Sequence, residues 1–136
     1  MHLQFAPTGL AVLLSALALG MPTVALADDV YLAIGFSPTT AKFAIATDKA
    51  TEAAAKSEAQ MNCQIAAQAN DCRIVVYARH CAALVVVKGT MPIHYAASSG
   101  PDKANALGRA VQRLYSASGE SGFPLLNLCN RSMGEQ

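Results

Sequence analysis

The sequence has no tryptophan, and only 14% of its 136 residues are charged. With 53% hydrophobic residues and a mean hydropathy of +0.30, so low a charge fraction excludes a disordered chain. The formal net charge is +1. There is no polyelectrolyte tail, and no electrostatic case for nucleic acid or an anionic membrane surface. No Cys-x-x-Cys occurs, which removes a thioredoxin-type redox pair. Gly-x-Ser-x-Gly, His-Glu-x-x-His and a phosphate-cradling glycine loop are absent as well. The main apolar run, Gly9–Leu19, falls short of the ~20 residues that a membrane-spanning helix needs.

What is present divides the chain in two. Residues 1–27 hold none of the 10 Lys and Arg or the 9 Asp and Glu. They contain that apolar run, then Pro22, and close on Ala25-Leu26-Ala27, a small-x-small cleavage pattern. This predicts a signal peptide cut between Ala27 and Asp28, export to the cell envelope or the medium, and no stable membrane insertion afterwards. Its n-region carries only His2 and the terminal amine where Lys or Arg is usual.

The cysteines, Cys63, Cys72, Cys81 and Cys129, all follow the leader. An even number in a small exported domain implies two disulfides. Three connectivities are open. Cys63–Cys72 with Cys81–Cys129 is preferred, because the first bridge would tie a helix end to the strand that follows. A metal site from Cys72, His80 and Cys81 is the competing reading, and structural zinc favours closer cysteine pairs than these.

After the leader, Val30–Phe36 and Ala41–Thr47 read as a hairpin around Ser37-Pro38-Thr39-Thr40. An Ala-, Glu- and Lys-rich helix follows, capped by Thr51 and ending near Gln68, with Ala54, Met61 and Ile65 on one face. Arg73–Ala78 is a β-branched strand. From Cys81 the order returns: a strand to Lys88, a second strand over Met91–Ala97, and a helix opened by Ser99-Gly100-Pro101-Asp102. That helix has its apolar stripe at Ala104, Leu107, Val111 and Leu114. A last strand covers Pro124–Cys129, and the closing NRSMGEQ reads as frayed. The expectation is an α+β domain over residues 28–130, with a flexible tail at 131–136. It is made of two strand–strand–helix–strand pseudo-repeats (30–79 and 81–129) forming a mainly antiparallel sheet covered by both helices.

The pieces that carry this order are VYLAIGFSP, Thr51 with the Ala-rich helix into Cys63, DCRIVV, Cys81-Ala82-Ala83-Leu84 and Cys129-Asn130. They resemble a family of small exported bacterial proteins, domain of unknown function 4189. The resemblance implies export, the disulfides and the fold, but no activity. Two family glycines are replaced here by Leu32 and Ala82, and a family tryptophan by Asn127, so a recognition surface built on them would be altered.

Candidate chemistry is sparse. A cysteine nucleophile beside His80 or His94, with Asn127, needs a free thiolate, which two disulfides would remove. Asp28 and Asp29 read as a solvated mature terminus, and Asp71 as a turn residue. Ser98-Ser99-Gly100 before Pro101 could hold an anion at a helix start, and an ordinary N-cap explains it better. Arg73, Arg79 and Arg113 lack the aromatic interleaving of a nucleic-acid surface. Tyr31, Tyr77 and Tyr95, with Tyr115, are the better contact residues, since tyrosine is enriched at interfaces. The expected function is therefore non-enzymatic: an exported module that binds another protein as an inhibitor, immunity-type partner or effector, with no cofactor or metal. The alternatives are a small secreted hydrolase with a site between the repeats on His94 or His80, and a structural envelope protein.

Overall fold

A computed structural model describes residues 29–131. The leader, the Ala27–Asp28 junction and the residues beyond 131 lie outside them. The elements run β1 (Tyr31–Ser37), β2 (Lys42–Lys49), α1 (Glu52–Ala67), β3 (Arg73–Ala78), β4 (Cys81–Val86), β5 (Tyr95–Gly100), α2 (Lys103–Ser118) and β6 (Phe123–Cys129).

Side-chain alternation along β1 sets the layering. Leu32, Ile34 and Phe36 point to one face and Ala33 and Gly35 to the other. The large residues join Ala82, Leu84, Val86 and Ala97 in one buried cluster. The small face lets α1 come close, so that a Cβ on Gly35 would stand 2.7 Å from the Ala59 carbonyl oxygen. β4 repeats the scheme, with Ala83 and Val85 turned to Ala106, Ala110 and Leu114 of α2. The strands divide into two antiparallel three-stranded sheets, β2-β1-β3 and β5-β4-β6, in place of one shared sheet. Helix, sheet, sheet and helix stack as four layers, and the α+β character with disulfide staples holds.

Both helices are capped by side chains. Thr51 Oγ1 accepts from the Ala54 N–H at 3.1 Å, and Asp102 Oδ1 from the Asn105 N–H at 2.8 Å. Cys63 of α1 is bridged to Cys72 just before β3, and Cys81 of β4 to its cross-strand neighbour Cys129 of β6.

Several local expectations are corrected. α1 buries Ala55, Ala59, Cys63 and Ala67, while Ala54, Met61 and Ile65 share the opposite, exposed face. The sheet beneath admits only small residues, so the larger apolar pair is turned outward. In α2, Ala106 and Ala110 are buried and Ala104 is exposed. The fifth strand begins at Tyr95 rather than Met91, beyond a cis Met91–Pro92 bond, because Pro92 has no N–H to give a ladder. Ser98, Ser99 and Gly100 belong to that strand, and Asp102 alone is the cap.

The largest correction is Asn130, which is fully buried instead of frayed. Its Oδ1 accepts from the Asp48 N–H at 2.9 Å, and its Nδ2 donates to the carbonyls of Arg79 at 2.7 Å and Val30 at 3.2 Å. Its own N–H reaches the His80 carbonyl. One side chain thus ties the start of β1, the end of β2 and the β3–β4 junction to the end of β6.

Candidate interaction face

α1 packs chiefly on β1 and β2 and much less on β3, which leaves the helix side of β3 open. Tyr77 stands across from Ala33, and Tyr31 lies two residues back along β1, packed on the same small-residue cluster. Tyr77 stands on the flank that α1 leaves uncovered, and Tyr31 is half-buried on the neighbouring strand. Tyr77 is 47% exposed, and the Lys56 ammonium sits 3.6 Å from its ring centroid. The Arg79 guanidinium lies 5.4 Å from the Tyr31 ring centroid, and its Nη2 donates to the Tyr31 hydroxyl at 3.2 Å. Asp29 approaches Arg79 Nη1 at 3.3 Å, and Glu52 pairs with Lys56. The Tyr31 hydroxyl, with Asp29 behind it, raises the Arg79 pKa, and the Glu52 hydrogen bond raises that of Lys56. Each cation is therefore held beside a ring by a carboxylate (an aromatic centre with an ion-paired, near-neutral rim).

Tyr95 belongs elsewhere. It packs edge-on against Phe36 in the core between the sheets, with ring centroids 5.0 Å apart. Tyr115 is exposed on α2. Of the tyrosines singled out in the sequence, only Tyr31 and Tyr77 come together. Lys56 and Glu52 were missed; the signal was their i, i+4 spacing on the helix, which places the pair but not the ring beneath it.

His94 and His80 line two other depressions. His94 opens on a groove of about 620 Å³ with Ile93, Tyr95, Leu114, Ser118 and Glu120, where its Nδ1 lies 4.0 Å from Glu120 Oε2. The Ser118 hydroxyl donates to the Leu114 carbonyl, and the Thr90 hydroxyl accepts from the His94 main-chain N–H, so neither is aligned with the imidazole. This groove lies within the second half of the chain. His80 lines a notch of about 250 Å³ between the halves, with Arg79, Ser99, Gly100, Pro101 and Arg109. All four cysteines are bridged, and no group of three His, Cys, Asp or Glu side chains able to hold a metal occurs among the described residues.

Asp71 does more than turn the chain. Its carboxylate accepts from the hydroxyls of Ser37 at 2.5 Å and Thr39 at 2.7 Å, and from the Thr39 N–H at 3.0 Å. These donors, the Ser37 hydroxyl first, lower its pKa to about 2. They tie the β1–β2 turn to the loop after α1. Asn127 is half-buried on β6, its Oδ1 without a hydrogen-bond partner.

Residues 31–129 match the family described as Domain of unknown function (DUF4189). The chain belongs to that family. The match begins with β1 and ends on the second disulfide, so the DUF4189 unit contains both sheets and both helices. No curated protein and no solved structure matches the chain. The two disulfides are those of a protein that folds in an oxidising environment, and no helix among the described residues is long and apolar enough to cross a membrane.

Proposed function

We propose that this DUF4189 protein is exported, losing its leader after Ala27, and acts outside the cytoplasm as a non-enzymatic module that binds another protein. The observation that carries the reading is the open flank of β3, where Tyr31 and Tyr77 lie beside Arg79 and Lys56. Tyrosine and arginine are the residue types that dominate protein–protein hot spots, and the neutral ion-paired rim lets the face be desolvated without stranding a charge. The partner would be an inhibitor's target, the cognate of an immunity-type protein, or the object of an effector.

The test is a comparison of the tagged protein with its Tyr31→Ser/Tyr77→Ser variant, each recovered from the envelope and medium of the cells that make it. A partner retained by the parent and reduced at least tenfold with the variant, at unchanged melting temperature, is the expected result. Equal recovery would remove the face from the account. A small secreted hydrolase is the second reading, favoured by the His94–Glu120 pair in its groove. Hydrolysis abolished by His94→Ala would establish it in place of the first.

A further inference from the structure

The notch between the halves has a different character from the tyrosine face. Three basic residues line it from two segments: the adjacent Arg79 and His80 of the β3–β4 junction, and Arg109 of α2. Ser99 and Gly100 of β5 line it as well, and no carboxylate is among the lining residues. Arg109 is steadied by donating through Nη1 to the Ser99 carbonyl at 3.3 Å, and Arg113, one turn on, donates to the Ala97 carbonyl at 3.2 Å. Of the acids close by, Asp102 caps α2 on the Asn105 N–H and amide, and Asp29 pairs with Arg79 Nη1 at 3.3 Å.

A guanidinium carries five N–H donors. Arg79 directs one nitrogen to the Tyr31 hydroxyl and another towards Asp29, and Arg109 directs one to Ser99, so donors remain on both. Two guanidinium groups carried on separate segments suit a tetrahedral phosphoryl group better than a planar carboxylate, which one fork alone satisfies. We infer that the notch binds a phosphoryl-bearing ligand through Arg79, His80 and Arg109, with Arg113 adding positive potential along the approach. The volume of about 250 Å³ admits a phosphoryl group with one substituent. The inference shares Arg79 with the tyrosine face and is tested apart from it through His80 and Arg109, which take no part in that face.

The experiment titrates inorganic phosphate into the purified, disulfide-bonded, 15N-labelled protein at constant ionic strength, following arginine Nε–Hε and backbone amide resonances. Saturating shifts are expected at Arg79, Arg109, Ser99 and Gly100, with Arg73 unmoved and the affinity at least tenfold weaker in both R109Q and H80A. Absence of saturation would overturn the inference. So would equal shifts with acetate at the same concentrations, or equal weakening by R73Q, since either is general charge screening.

Discussion

The two halves of the molecule are built alike and closed differently. Each places its first strand at the centre of a three-stranded sheet and lays a 16-residue helix over it. The helices superimpose in sequence as caps Thr51 and Asp102, then Ala55 and Ala106, Ala59 and Ala110, and Cys63 and Leu114. At that last position the first half has its bridge to Cys72. The second half instead packs Leu114 so tightly on Gly122 that an added Cβ would lie 2.3 Å from Leu114 Cδ2. At the opposite end the roles exchange. Cys81 and Cys129 bridge β4 to β6, whereas β1 and β3 have Tyr31 and Arg79 in contact there. Each half thus has one covalent and one non-covalent closure, at opposite ends. The non-covalent closure of the second half is a buried leucine, and that of the first is a half-buried ring beside an exposed cation. The difference locates the candidate contact face: only the first half leaves its alternative to a disulfide at the surface.

The comparison can be broken most severely at the bridges. On the chain-entropy argument, Cys81→Ser/Cys129→Ser, which opens the long loop, costs about 4 kcal/mol, and Cys63→Ser/Cys72→Ser about 2.7 kcal/mol. Urea unfolding would measure both, and the reverse order would show that the strand bridge matters less than the helix bridge. Asn130→Ala comes next. It strands the Asp48 N–H and the Val30 and Arg79 carbonyls, and should lower stability by about 2–3 kcal/mol in the same assay. A pair of glycines then sharpens the contrast within the second half. Gly122→Ala, forced against Leu114 and the Val86 carbonyl, should cost about 1–3 kcal/mol. Gly108→Ala, with open space around it on α2, should raise stability by about 0.5–1 kcal/mol, and thermal melting would resolve the opposite signs.

Acid supplies the mildest probe. Asp71 has its carboxyl lowered to about 2 in the folded protein, against about 3.9 unfolded. Its hydrogen bonds therefore stabilise the fold fully above about pH 4 and lose that effect as the pH falls towards 2. Melting temperature measured over that window should decline less for Asp71→Asn than for the parent, and parallel curves would remove Asp71 as the cause.

Much of this architecture is written locally. Thr51 as a cap, the end of α1 at Gln68 and the solvent face of Lys103, Arg109 and Arg113 follow from propensity and spacing, which act within a turn or two. What was illegible depends on partners distant in sequence. The spacing of Ala54, Met61 and Ile65 is as helical as that of Ala55, Ala59 and Cys63; only the small face of β1 decides which is buried. Asn130 shows in the sequence only as part of the Cys129-Asn130 pair, and its burial does not show, because its partners are Val30, Asp48 and Arg79. Of the candidate face, the tyrosines were visible as a residue type. Their separation into Tyr31 with Tyr77 on the flank and Tyr95 in the core follows from strand register, which composition does not encode.

The most direct measurement places a photo-cross-linking phenylalanine analogue at position 77 and, in a second protein, at the equivalent position 127, where Asn127 faces Ala83 as Tyr77 faces Ala33. Both proteins would be irradiated in the cells that make them and their adducts weighed. A discrete protein adduct at 77 and none at 127 is the predicted result. Adducts at 127 alone, or at neither position, would contradict the placement of function on the first half.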